Sequence, residues 1–156
     1  MAIERAREYL KAWNLEDKIL EFKESSATVE LAAKAAGCEP ARIAKSISLK
    51  NAAGSAILVV AAGDVKIDNK KFKAYFGVKP KMLSFEEVEP LIGHAVGGVC
   101  PFGINDGVAV YLDESLKRFP SVFPACGSAN SAIELAHEQF FEVAKAIDWV
   151  DVTKEA

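Results

Sequence analysis

The stretch Gly97-Gly98-Val99-Cys100-Pro101-Phe102-Gly103 places three glycines and one proline within seven residues, between two apolar segments. Neither a regular helix nor a central strand runs easily through such a composition. Glycine adopts backbone angles that other residues avoid, and proline fixes one angle and removes a donor. Two readings stand open at this point. The stretch is a plain turn between strands, or it is a pre-shaped loop whose bare backbone approaches a ligand closely.

The rest of the chain is read around this loop. Ile3, Ala6, Leu10 and Trp13 recur at helical spacing and predict an amphipathic helix over 2–13. Residues 19–22 read as a short strand. Thr28 and its neighbours offer N-caps for a helix over 29–36, and Pro40 opens a further helical turn. Asn51–Gly54 is a hairpin connection, and the nearly continuous apolar run Ile57–Ala61 reads as a central strand. Asn69–Phe76 reads as a helix. Ser84-Phe85-Glu86-Glu87 is a capping-box pattern that opens another, with Phe85, Val88 and Ile92 on one side. Met82-Leu83, Val108–Leu112, Ser121–Phe123, Ile133–Leu135 and Trp149–Val152 read as strands, and 137–147 as the last helix. The irregular alternation and short links favour an α+β domain with a mixed sheet over a doubly wound parallel one. No internal repeat or linker interrupts the 156 residues, so one domain is expected over 1–156.

One lysine stands out. Residues 43–50 alternate with period two, which puts Lys45, Ile47 and Leu49 on one face and Ser46, Ser48 and Lys50 on the other. A lysine beside two residues expected to be buried snorkels at a strand end, pairs with an acid, or points into a cavity.

Composition narrows the function classes. A net charge of −3 argues against a protein that coats nucleic acid generally, though not against a local basic face. Cys38, Cys100 and Cys126 are widely spaced, no CxxC pair exists, and His94 and His137 lie far apart, so no metal site is expected. Free thiols fit a reducing cytoplasm. The chain start has no apolar signal region, and Ala56–Ala62 is too short to span a bilayer.

Three stretches together resemble one family. They are Ala27–Ala33 followed by Ile43-Ala44-Lys45-Ser46, then Gly93–Gly103, then Cys126–Leu135. In order and spacing they are similar to the YbaK/prolyl-tRNA synthetase-associated domain family, aminoacyl-tRNA deacylases that edit mischarged tRNA. The resemblance covers nearly the whole chain. It implies a single-domain α+β fold, a mixed, mostly antiparallel, barrel-like sheet flanked by helices, with a pocket for an aminoacyl-adenosine end. The family's pocket lysine falls on Lys45, and its GxxPxG loop on Gly98, Pro101 and Gly103. Its glycine-rich turn falls on Gly127 and Ser128. An acid found in some cysteine-directed members is replaced here by Ala132, and a pocket histidine of some alanine-directed members has no counterpart in 127–133.

The implied substrate is the ester of a small wrong amino acid, such as cysteine or alanine, on tRNA(Pro). The loop would present backbone donors to the oxyanion, and Lys45 would bind and orient. No cofactor is implied, and no general base is evident. Phe22, Ile47, Cys100 and Phe102, with Gly127 and Ser128, are expected around the substrate; for Phe22, Ile47 and Phe102 plain core packing is the alternative. A cysteine inside a glycine loop is also a candidate nucleophile, with His94 near in sequence. Between Lys66 and Lys81 six lysines face one acid, Asp68, a local balance of +5. Lys70, Lys71 and Lys73 form either a solvated helix face or a patch for acceptor-stem phosphates. Prolyl-tRNA synthetase is the implied partner. A non-catalytic module of the same fold, binding the tRNA 3′ end or a synthetase, is the alternative function.

Overall fold

The computed structural model describes residues 2–156. In chain order its elements are helix α1 (Ala2–Lys11), strand β1 (Leu20–Glu21), α2 (Val29–Ala36), β2 (Ile43–Lys50), β3 (Ala56–Ala62), β4 (Val65–Ile67), α3 (Asn69–Phe76) and α4 (Phe85–Ile92). There follow β5 (Ala109–Asp113), β6 (Ser121–Pro124), β7 (Ser131–Ala132), β8 (Leu135–Ala136), α5 (His137–Val143), β9 (Asp148–Val150) and β10 (Thr153–Glu155). Short 3-10 turns at Glu16–Lys18, Pro40–Arg42 and Glu114–Arg118 link some of them.

Six strands form one curled, mixed sheet in the order β8-β6-β2-β3-β5-β9. The β2–β3 hairpin lies at its centre, and every residue of β3 is buried. Two outlying pairs, β1–β7 and β4–β10, complete the pairing. Among the described strands four pairings are antiparallel (β1–β7, β4–β10, β2–β3, β6–β8) and three are parallel (β2–β6, β3–β5, β5–β9). The α+β class and mixed sheet expected from the sequence are therefore present.

Period two in β2 sorts the two faces of the sheet. Ala44 faces a large core with Leu58, Val60 and Ala62, covered by α1 (Ala6, Leu10), α4 (Val88, Ile92) and α5 (Phe140, Val143). On the opposite face Leu49, Ile57 and Val59 pack under Phe72 of α3, with Ile47 against them. Ala32 and Ala33 of α2 close a third cluster on Ile43 and Phe123. Two helix starts follow the sequence signals: Thr28 Oγ1 accepts from Leu31 N at 3.2 Å, and Ser84 with Glu87 forms the capping box of α4. The structure adds a third cap, Asp68, which accepts from Lys71 N at 3.0 Å at the start of α3.

The edge of β2 away from β3 is what opens the site. There β6 pairs only with Ile43 and Ala44, ending at Pro124, which has no N–H to continue the ladder. Leu49 then meets Met82 in an isolated bridge, and Leu83 N donates to Ser48 O at 3.0 Å. Between these two contacts residues 45–47 have no strand partner on that edge among the described residues.

Several element expectations need correction. The expected strand over Ile133–Leu135 does not form: β7 ends at Ala132 and β8 begins at Leu135, and between them Ile133 N turns back to Pro124 O at 3.0 Å. The last helix ends at Val143, not 147, and Lys145 takes φ 52°. Phe85 does not join the buried side of α4: it is 75% exposed while Val88 and Ile92 are buried. Strands β4 and β10 were not expected; short and charge-bearing, they carry no apolar run.

Candidate active site

Three sequence segments converge on one cavity of about 450 Å³. The β1–β7 pair draws the chain before α2 alongside the segment after Cys126: Phe22 N donates to Asn130 O at 2.7 Å, and Ser26 N to Ala129 O at 2.5 Å. The glycine loop docks on the same segment. A Cβ on Gly98 would lie 2.6 Å from Ser128 N and 2.8 Å from Gly127 O, so the two backbones meet as only glycine permits. Gly97 lies between Ala27 and Ala129, each 3.6 Å from where its Cβ would be.

The cavity wall takes Ser26 to Val29 and Ala32 from the first segment, and Ile43 to Ser48 from β2. Gly97 and Val99 come from the loop, and Ser131 and Ala132 from β7. Met82, Phe85 and Val96 stand at it while 51–75% exposed, which gives it an apolar rim. Lys45 is the one charged side chain among the lining residues. It shares its face with Ile47 and Leu49, in register with Ala61, Val59 and Ile57 of β3. Its ammonium donates to the backbone carbonyls of Val65 and Gly63, the latter at 3.4 Å. An ammonium carries three donors, so one remains for the cavity. Burial lowers the Lys45 pKa, opposed by the carboxylates of Asp64 and Glu30.

The other residues singled out from the sequence divide clearly. Ile47 lines the cavity with Lys45. Gly98, Gly127 and Pro101 are buried, and Gly103 rests on α1, where a Cβ would approach Arg5 O to 2.6 Å. Arg5 in turn donates to Gly93 O at 3.0 Å and Asn105 Oδ1 at 3.1 Å, so α1 holds both ends of the glycine-rich segment. Ser128 reaches the wall through Ser131, the two hydroxyls being 2.6 Å apart. Phe22 and Phe102 do not line the cavity. Phe102 is fully buried between Tyr9 and Phe140, at centroid distances of 6.2 Å and 5.9 Å.

Cys100 is also fully buried and absent from the wall, and burial pushes its thiol up to about 12. Its sulfur lies 3.5 Å from His94 Nε2, which is itself 2.6 Å from Phe102 O. A carbonyl only accepts, so His94 carries its proton on Nε2, and Nδ1 is left without a partner. His94 thus ties the inside of the loop together. His137 lies apart, bonded to Phe119 O at 2.9 Å and packed edge-on to Trp149.

Lys70, Lys71 and Lys73 sit on α3, the helix covering the Lys45 face of the sheet. Lys71 is committed to Asp151 Oδ1 at 3.1 Å and Thr153 O at 2.9 Å. Lys70 and Lys73 are exposed and make no salt bridge among the described residues.

The comparisons with known proteins identify the family and the fold. The family described as the aminoacyl-tRNA editing domain matches residues 23–143. The chain belongs to that family. This bears out the resemblance read from the three motifs. Its relative YwhH of Bacillus subtilis (strain 168) is 51% identical over 155 residues, covering 99% of each chain. A solved structure described as a proposed trans-editing enzyme for prolyl tRNA synthetase superposes with a TM-score of 0.88 at 28% identity, covering 98% of this chain and 97% of the other. The hypothetical protein APE2540 superposes with a TM-score of 0.86 at 26% identity, covering 96% and 99%. The matched stretch begins after α1, so the Arg5 clasp lies outside it.

Residues that the sequence did not single out also face the cavity, chiefly Ser26, Ser46, Met82, Phe85 and Val96. Ser46 and Ser48 alternate away from Lys45 along β2, yet line the same space because the cavity wraps the open strand edge. No periodicity signals such an edge.

Proposed function

We propose that this editing domain hydrolyses the ester linking a small, wrong amino acid to the 3′-terminal ribose of tRNA, with tRNA(Pro) as the substrate and prolyl-tRNA synthetase as the enzyme whose errors it corrects. The observation that carries this reading is Lys45, a lone cation on the wall of a small cavity bordered by the glycine loop. Water adds to the ester carbonyl, the carbon–ribose oxygen bond breaks, and the products are the free amino acid and a tRNA with its hydroxyl restored. The proton lost by water ends on the departing ribose oxygen.

Oxyanion stabilisation falls to Lys45 and to backbone N–H groups of the loop, a type of donor whose loss typically costs about 10²–10³ in rate. The lining residues include no carboxylate and no imidazole. Proton movement is therefore assigned to the substrate's own amino or vicinal hydroxyl group. Lys70 and Lys73 supply the phosphate contacts, and the reaction runs in the cytoplasm, where charged tRNA is used. No helix among the described residues is long and apolar enough to cross a membrane.

The same absence of an acid–base side chain favours one alternative, a module that binds the tRNA 3′ end or a synthetase without turnover. A deacylation panel separates them. Alanyl-, cysteinyl-, seryl- and threonyl-tRNA(Pro) are incubated beside prolyl-tRNA(Pro). Release of a wrong amino acid well above the spontaneous rate, with prolyl-tRNA(Pro) spared, supports the hydrolase. Saturable tRNA binding with every ester left intact supports the module.

A further inference from the structure

We infer that the cavity selects an aminoacyl group whose side chain carries a hydroxyl, serine or threonine, and that Ser26 and Ser46 read it; the inference rests on the deacylase reading above and concerns which ester that site accepts. Ser26 and Ser46 come from different elements, the segment before α2 and strand β2, and both line the cavity. The hydroxyl of each is buried and has no hydrogen-bond partner. Ser26 is 8% exposed, and its backbone is fixed by the bond to Ala129 O. Orphaned buried hydroxyls are costly, and folded proteins keep few of them. Two on the wall of one cavity point to a ligand that completes them.

Ser131 provides the contrast. It also lines the cavity, but its hydroxyl is already paired with Ser128 at 2.6 Å. Among the described residues, the buried hydroxyls on this wall that lack a partner are those of Ser26 and Ser46. Ser46 stands at the centre of the stretch of β2, between Ala44 and Ser48, that has no strand partner on that edge among the described residues. Rotation about a single Cα–Cβ bond carries either hydroxyl between staggered positions without moving the backbone.

The chemistry of the remaining wall identifies the group that fits. Ala32, Ile43, Val88 and Phe123 are apolar and suit a short side chain. No carboxylate lines the space, so nothing in it matches the substrate's ammonium. An alanyl side chain offers no hydrogen bond, and a thiol only a weak one. A hydroxyl both donates and accepts, as do the two serines facing it. Sites built to bond a substrate hydroxyl discriminate strongly against the analogue lacking it, because their own polar groups are otherwise left unpaired.

The test has a catalytic and a binding arm. In the first, seryl-, threonyl-, cysteinyl- and alanyl-tRNA(Pro) are compared by kcat/KM. In the second, non-hydrolysable 3′-amide analogues of seryl- and alanyl-adenosine are titrated by calorimetry. The hydroxylated esters are expected to exceed the alanyl ester by at least about 100-fold, and the seryl amide to bind more tightly than the alanyl amide. In the Ser26→Ala/Ser46→Ala protein the seryl-to-alanyl ratio collapses towards one. Ser26→Thr and Ser46→Thr, which keep a hydroxyl, retain more of it. The double alanine variant melts at or above the parent's temperature, since two unpaired buried groups are gone.

Equal handling of seryl and alanyl substrates by the parent protein overturns the inference while leaving the hydrolase standing. So does a preference that survives the double substitution, or a clear loss of stability in it. Selective binding of the seryl amide with no ester cleaved upholds the recognition and overturns the hydrolytic reading instead.

Discussion

Gly98 and Ser128 meet backbone to backbone: a Cβ on Gly98 would stand 2.6 Å from the Ser128 nitrogen. The contact is with main chain, which cannot swing aside as a long side chain would. Gly98→Ala must therefore lift the loop from the Gly127–Ser128 turn. Deacylation is expected to fall by roughly 10², the order of loss that follows a displacement of about 1 Å at a reacting group. Gly54→Ala is the matched control. Open space surrounds Gly54, but its φ is +81°, so the cost there is conformational, about 1 kcal/mol. Melting temperature and kcat/KM, measured on both variants, distinguish a displaced loop from a weakened fold.

Lys45 supplies a pH signature. Its pKa is lowered, first by burial, with Asp64 and Glu30 opposing. The cation exists below that pKa and is lost above it, so kcat/KM for enzymatic deacylation should decline on an alkaline limb lying below the ordinary lysine range. Stability moves the other way. The unfolded chain holds this proton more tightly than the folded one, so the Lys45 contribution to stability rises with pH across the same window. A falling rate beside undiminished melting temperature separates titration from unfolding. Lys45→Arg shifts the limb upward, because guanidinium stays charged; Lys45→Met lowers the rate at every pH.

Much of this is legible in the sequence alone. The alternation Lys45-Ser46-Ile47-Ser48-Leu49 assigns the faces of β2 correctly, and Thr28 and Ser84 mark helix starts because capping is local chemistry. The three motif stretches, two of them glycine-bearing, identify the family. The cavity wall was not legible in the same way. It depends on where β6 leaves β2 and where Met82 joins it, two long-range events that leave no local pattern. Phe85 illustrates the same limit. Its helical spacing with Val88 and Ile92 implies burial, but as the first residue of α4 it lies at the cavity rim, beyond the packed stripe.

Burial lowers the pKa of His94, with the Phe102 carbonyl opposing and the Arg5 charge assisting. The folded protein holds the ring neutral, while the unfolded chain takes up a proton in the ordinary imidazole range. Stability contributed by His94 is therefore complete above that range and is lost as pH falls towards the lower pKa of the folded state. Melting curves between pH 7.5 and about 5 should show this decline. His94→Gln, which keeps a donor for Phe102 O, should flatten the curve. A slope unchanged in that variant would assign the decline to other groups.

Among the described residues Lys70 and Lys73 make no salt bridge, whereas Lys71 holds Asp151 and the Thr153 carbonyl. Charge reversal of the three is not equivalent. Lys70→Glu and Lys73→Glu should raise KM for aminoacyl-tRNA with kcat nearly unchanged, and each should reduce the log–log salt slope of binding by about one. Lys71→Glu should also lower the melting temperature, because it breaks the tie between α3 and the start of β10. Binding isotherms at several salt concentrations, beside thermal melts, read both effects. Salt-independent binding would remove this face from the tRNA path.

Cys100 is buried without access to the cavity, and its thiol is pushed up to about 12. A nucleophilic cysteine needs the opposite, a thiolate stabilised at neutral pH and open to substrate. Cys126 is likewise buried and its thiol raised, which leaves Cys38 as the partly exposed member of the three free cysteines. Burial raises the Cys38 thiol too, so in the native protein a bulky alkylating reagent should label Cys38 slowly and the other two only on denaturation. Deacylation should persist at close to its full rate after native labelling. Cys100→Ala should also retain the activity, less whatever follows from a small cavity beside His94 and Phe102, a stability cost of about 1 kcal/mol. Loss of activity in step with labelling of Cys100, followed by peptide mass spectrometry, would reassign the chemistry to a thiol.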